Sequence, residues 1–169
     1  KFEKKLIFSG DPSRFPHIVD WKHSTPLHVY ATRAEGVDYS KVHLEGWRTQ
    51  QELLLELSKG GGFGLVWGNS ENPAEERDYY KENVSYKLTT YLAAGIPVVV
   101  PDYLSNVDYI REKGLGFVVS SLEEASHVVQ ECTAEEYDQM VTRAKYTAYL
   151  IKNGYFTKKL FIDSMMLLD

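Results

Sequence analysis

Six short, nearly continuous apolar runs punctuate the chain: Leu6-Ile7-Phe8, Leu27-His28-Val29-Tyr30, Val42-His43-Leu44, Phe63-Gly64-Leu65-Val66-Trp67, Pro97-Val98-Val99-Val100 and Gly116-Phe117-Val118-Val119. They are rich in β-branched and aromatic residues and hardly alternate with polar ones, the pattern of strands covered on both faces of a parallel sheet. Between them the apolar period changes to that of a helix. Residues 50–59 put Leu53, Leu54 and Leu57 on one stripe, residues 86–94 precede the Pro97 run, and residues 106–113 group Val107, Tyr109 and Ile110. After Val119 the strand pattern stops, and residues 123–130, 134–150 and 157–168 all read as helices. The second of these opens with Thr133 and, three residues on, Glu136, the two halves of a capping box.

Strands alternating with helices predict βαβ units. The expected fold is therefore α/β: a Rossmann-like, doubly wound parallel sheet of about six strands with helices on both faces and a helical C-terminal run. Residues 1–169 read as a single domain without internal repeats, low-complexity tracts or a long linker. One segment, 68–81, is irregular, acidic and turn-rich around Asn72-Pro73. It follows a strand, where α/β sheets bind ligands, and reads either as a lid or as a solvated insertion; the acidic group Glu71, Glu75, Glu76 and Asp78 reads as solvated surface.

Composition narrows the function classes. The chain is 43% hydrophobic and 25% charged, ordinary for a folded globular domain, and its net charge of -5 argues against general attraction to nucleic acid or anionic membrane. An anionic ligand would have to be held locally. The lone Cys132 excludes an internal disulfide and a multi-cysteine metal site, and reads as a small packed residue. The five histidines, 17, 23, 28, 43 and 127, have no ligand spacing, so no metal is expected. No apolar run reaches membrane-spanning length and the N-terminus lacks a signal-peptide pattern, so a cytoplasmic protein is expected. The start at Lys1, directly before a strand, suggests a domain cut from a longer protein.

Candidate chemistry gathers at strand ends. Lys87 stands in the first turn of the 86–94 helix, where the dipole already places partial positive charge, so the position suits a lysine best when an anion sits there. Asn83 or Ser85 would cap this helix, and Gly95 with Pro97 would end it. The first strand ends in Ser9-Gly10-Asp11-Pro12-Ser13-Arg14, a turn that projects Arg14, whose fork matches phosphate oxygens. Either cation alone reads equally as a surface charge; paired across one sheet edge they suit a diphosphate. Trp47, in the loop Glu45-Gly46-Trp47-Arg48, reads either as a platform for a nucleobase or as cover for the following helix. The glycines at 60–62 precede their strand and lack a following Lys-Ser or Lys-Thr pair, which excludes a P-loop. Nucleophilic hydrolase motifs are absent from the sequence.

Tyr86-Lys87, the string Tyr91-Leu92-Ala93-Ala94-Gly95-Ile96-Pro97-Val98-Val99, Phe63 to Trp67 upstream, Gly114-Leu115-Gly116 downstream and the tail Asn153-Gly154-Tyr155-Phe156 together resemble the C-terminal domain of GT-B glycosyltransferases. Within them the chain is similar to the third glucosyltransferase family of serine-rich-repeat adhesin glycosylation, once called nucleotide-sugar-synthetase-like. The resemblance spans nearly the whole chain. It implies the donor half of a two-domain bacterial enzyme that moves a hexose, glucose by family, from a UDP-sugar to a glycan on a glycoprotein, with the acceptor half absent here. It also implies no metal or other cofactor, and leaves room for a homo-oligomer. By position the resemblance assigns Arg14 and Lys87 to the diphosphate, the Gly46-Trp47 loop to the base and Thr89 or Thr90 to the ribose region; Tyr86 is a further donor-binding candidate, and in the loop 102–106 Ser105 and Asn106 are the polar candidates for reading a sugar hydroxyl.

Two departures bear on mechanism. Many retaining relatives carry two glutamates; Glu82 fits the first place, but Thr90 stands at the second, so no retaining mechanism and no catalytic residue carries over. Ser85 stands where relatives often have proline. Two rival readings remain: a non-catalytic partner subunit, which has no need of both Arg14 and Lys87, and half of a sugar-nucleotide epimerase, which should show catalytic carboxylates and histidines.

Overall fold

The computed structural model describes residues 1–68, 77–80 and 83–167. Six strands form one sheet: β1 (Leu6–Ser9), β2 (Leu27–Tyr30), β3 (His43–Leu44), β4 (Phe63–Leu65), β5 (Val98–Pro101) and β6 (Gly116–Val119). Every pairing is parallel and the spatial order is β3-β2-β1-β4-β5-β6. The expected doubly wound α/β sheet is therefore present. Its order reverses between β1 and β4, and the carboxyl ends of those strands open the crevice where such sheets hold ligands.

The helices are α1 (Pro16–Val19), preceded by a 3-10 turn at Pro12–Arg14, then α2 (Gln50–Lys59), α3 (Tyr86–Ala94), α4 (Val107–Lys113), α5 (Leu122–Glu131), α6 (Ala134–Lys152) and α7 (Tyr155–Met166). Their starts follow local chemistry. Thr49 with Glu52 and Thr133 with Glu136 form reciprocal capping boxes, and Ser121 accepts from the Glu124 amide. Predicted and observed ends differ by a residue or two in both strands and helices; the run 63–67 pairs only as far as Leu65, leaving Val66 and Trp67 buried beyond the ladder.

The pleat divides the core. Leu6, Phe8, Phe63, Leu65 and Val99 face one side, packed against Ile18, Ala125, Val129, Tyr137 and Met140 of α1, α5 and α6. Ile7, Val98 and Val100 face the other, against Leu53 and Leu57 of α2, Leu88, Tyr91 and Leu92 of α3, and Ile110 of α4. A sheet apolar on both faces explains why its strands read as unbroken apolar runs. A buried network ties the β2 approach to α5: Thr25 Oγ1 donates to Ser126 O (2.8 Å) and accepts from Ser126 Oγ and Gln130 Nε2 (2.9 Å each), while Trp21 Nε1 donates to Thr25 O (2.7 Å). Cys132 is buried, and that burial pushes its thiol above the ordinary range.

α6 crosses the sheet end to pack along α3, and α7 turns back beside it with none of its residues buried. Leu160, Phe161, Ile162, Met165 and Met166 of α7 are exposed. Among the described residues no helix is long and apolar enough to cross a membrane. Most of the segment 68–81, read as a lid or a solvated insertion, lies outside the described residues, as do Glu71, Glu75, Glu76 and Glu82; Asp78 is exposed.

Candidate functional site

Two adjoining cavities open at the crevice. The first, about 720 Å³, is lined by Ser9, Gly10, Asp11 and Arg14 from the end of β1 and by Tyr79, Asn83, Ser85, Tyr86 and Lys87 before and at the start of α3. The second, about 430 Å³, shares Ser9, Gly10 and Asp11 and continues over Tyr30, Thr32 and Arg33 after β2 and Trp47 and Arg48 after β3. Each lies in the size range of small-molecule sites.

In the first cavity Lys87 reaches back toward β1. Its Nζ lies 4.3 Å from the ring centre of Phe15 and 5.0 Å from that of Phe8, two rings packed edge to face at 5.0 Å. This is cation–π geometry, and it holds the ammonium beside the β1 turn. Gly10 is required there sterically: a Cβ would sit 2.8 Å from Phe8 Cε1 and 3.2 Å from Phe15 Cε2. Ser85 is the N-cap of α3, its side chain makes no capping hydrogen bond, and among the described residues the first turn holds no acidic group. The start of α3 thus presents backbone N–H groups, a lysine and a positive dipole end to the cavity.

Arg14 ends the 3-10 turn, lines the same cavity and is exposed. The turn begins at Asp11, whose carboxylate accepts from Ser13 Oγ (2.8 Å) and Ser13 N (3.0 Å). Those bonds hold the Asp11 carboxyl below its ordinary range, so it caps the turn as an anion.

The second cavity is organised by its loop. Gly46 takes a left-handed φ of 84°, and Trp47 stands 64% exposed on the rim. The flanks are anchored: His28 Nδ1 meets Glu45 Oε1 at 2.6 Å, and Arg48 Nε donates to Glu56 Oε2 at 2.8 Å while Arg48 Nη1 donates to Trp47 O. Tyr30 Oη donates to Glu56 Oε1 (3.1 Å), and burial first, then Glu56, pushes that phenol well above its ordinary range. The indole of Trp47 thus stands exposed on a loop held at both ends.

The structure therefore brings Arg14, Tyr86 and Lys87 to one cavity and Trp47 to its neighbour. It does not bring the other three expected residues there. Thr89 is two positions from Lys87, on the opposite side of the helix, and lines a separate, largely apolar groove of about 500 Å³ that also takes in Asn106. Thr90 is 5% exposed beneath α3. Asn106 accepts from Ser105 Oγ (3.1 Å) at the start of α4. Residues not named as ligand contacts in the sequence also line the crevice: Ser9, Tyr30, Arg33, Arg48, Tyr79 and Asn83, the last having been named only as a candidate cap. Arg33 and Arg48 lie three and four residues after the ends of β2 and β3, and a position just past a strand was the available signal. Among the described residues no group of three or more His, Cys, Asp or Glu is arranged to hold a metal.

Comparison with known proteins bears on family and fold. The family described as glucosyltransferase 3-like, C-terminal domain, matches residues 6–164. Glucosyltransferase 3 of Streptococcus gordonii is 54% identical over 166 residues, covering 98% of this chain and 49% of the relative. Glucosyltransferase 3 of Streptococcus parasanguinis is 34% identical over 163 residues, covering 96% and 48%. The chain thus spans about half the length of these curated relatives. Among solved structures, WaaG, a glycosyltransferase involved in lipopolysaccharide biosynthesis, superposes with a TM-score of 0.50 at 18% identity, covering 89% of this chain and 43% of that one. With a two-cavity crevice on a doubly wound sheet and a family match across almost its whole length, this chain belongs to the glucosyltransferase 3-like C-terminal domain family.

Proposed function

We propose that this chain is the donor-binding part of a glycosyltransferase and that its crevice holds a UDP-sugar, the hexose passing to a glycan on a glycoprotein. The observation that carries the reading is that Arg14 and Lys87 line one 720 Å³ cavity, next to a second that ends at an exposed tryptophan. A diphosphate between the two cations leaves the base toward Trp47 and the sugar toward Tyr79 and Tyr86. The leaving diphosphate is stabilised by the two side chains and the start of α3, which supplies the electrostatic part of transfer. Acceptor and general base are assigned to parts of the protein outside this chain.

Calorimetric titration of the chain with UDP, GDP, CDP and ADP tests this. UDP binds in preference to the other three, and Lys87→Ala and Arg14→Ala each weaken it about 10- to 150-fold, the worth of one charge-assisted phosphate contact. Unchanged UDP affinity in both variants refutes the site. A full-length protein that transfers from no nucleotide sugar but binds a sister transferase refutes the catalytic reading.

A further inference from the structure

Tyr91 lies one helical turn after Lys87 on the same face of α3 and is wholly buried. Its ring fills a niche over β4 that exists because residue 64 is glycine: a Cβ there would stand 2.4 Å from Tyr91 Cγ and Cδ2. Its hydroxyl does something the packing does not require. β1 pairs with β4 at Leu6↔Phe63 and Ile7↔Gly64, and Ser9 lies two residues beyond the second pair. Parallel strands send alternate amides to opposite neighbours, and Leu6 N–H donates toward β2, to Pro26 O. The Ser9 amide, out of phase with it, points toward the β4 side beyond the last paired residue. There it donates to Tyr91 Oη at 2.9 Å. A side chain of α3 thus takes the place of a missing ladder partner, at the residue from which the Gly10–Arg14 turn departs.

We propose that Tyr91 is a positioning residue of the nucleotide cleft, fixing the span between the Lys87-bearing helix and the Arg14-bearing turn. The inference rests on the nucleotide reading above. α3 is located against β1 at two points along one face, through the Tyr91 hydroxyl on Ser9 and the Lys87 ammonium on the Phe8–Phe15 pair. A ligand that must touch both cations at once gains most when their separation is set before it arrives. Burial pushes the Tyr91 phenol far above its ordinary range, so it stays protonated and the strut is insensitive to pH across the working range.

Tyr91→Phe keeps the ring in its niche and removes only the strut. Titrated with UDP, the variant chain binds about 2- to 10-fold more weakly than wild type, the effect of one hydrogen bond. In a Lys87→Ala background the same change alters affinity less than about 2-fold, because the group it positions is gone. Hydrogen exchange without nucleotide shows faster exchange at Ser9 and Gly10 and unchanged exchange at Val99 and Val100. If wild type binds UDP but Tyr91→Phe binds equally well, or if its penalty persists undiminished in Lys87→Ala, the positioning role is overturned and the nucleotide reading stands. If wild type does not bind UDP, the nucleotide reading falls and takes the role with it.

Discussion

Gly64→Ala is a small change with a large expected cost. The added Cβ would lie 2.4 Å from two ring carbons of Tyr91 and 2.9 Å from its Cβ, whereas ordinary contact begins near 3.4 Å, so something must move by about 1 Å. Little there can yield. Gly64 is in register with Ile7 on one side and Val98 on the other, and Tyr91 is fully buried. Overpacking of this kind costs ~1–3 kcal/mol, and the rigid surroundings put this case near the top of that range. Replacing glycine also restricts the unfolded chain, which returns ~0.4–1 kcal/mol. The net loss is about 2 kcal/mol, or a melting temperature lower by roughly 4–8 °C for a chain of this size. Urea unfolding reads it as a lower midpoint at unchanged slope. Trimming that side chain in the same molecule, with Tyr91→Ala, removes the two 2.4 Å ring contacts and keeps only the one with its Cβ, so Gly64→Ala should cost less in that background than in wild type. A Gly64→Ala chain that melts within about 1 °C of wild type would refute the claim that the Tyr91 niche depends on glycine.

Three further outcomes are expected. Thr25→Val keeps the shape of a fully buried residue but deletes the three hydrogen bonds of its hydroxyl to Ser126 and Gln130; it costs about 2–3 kcal/mol in denaturant unfolding, with UDP binding unchanged. Glu3 pairs with Lys1 and with Lys5 (2.6 Å), Lys1 first, and its pKa is held at about 2 against an ordinary 4.5. Because the folded value is the lower one, its contribution is present above pH 4.5 and is lost as pH falls toward 2; Glu3→Gln should flatten the stability curve in that window, by at most about 1 kcal/mol for a carboxylate still 25% exposed. Trp47→Ala, at a residue 64% exposed, should leave the melting temperature within about 1 °C while weakening UDP about 5- to 150-fold, the range of one base–aromatic stack; equal affinity would place the base elsewhere.

The fold was legible because both sheet faces are covered, so each strand wrote an uninterrupted apolar run and each cap its own signature, as at Thr133 and Glu136. Lys87 was legible as a charge set against a helix dipole, and Arg14 as a cation on the turn after the first strand. Thr89 and Thr90 were assigned to the ribose region through the resemblance, but helical geometry turns one onto another face and packs the other inward. Tyr91 left no signal. Its partner is a backbone N–H, which every residue except proline carries, so no spacing of side chains marks it. Gly10 and Gly64 were visible as glycines, while the rings that require them became visible only in three dimensions.

The all-parallel sheet also has a kinetic consequence. No two neighbouring strands are joined by a hairpin; every pairing needs a crossover, and the switch point joins β1 to β4 across the whole of β2, β3 and α2. Such topologies close long loops before any contact rewards them, so they fold slowly relative to helical bundles. Arg14 and Lys87 lie on opposite sides of that last closure. No early local fragment holds both, and a diphosphate has nothing to grip until the central strands have paired. Nucleotide should therefore slow unfolding while leaving the refolding rate nearly unchanged.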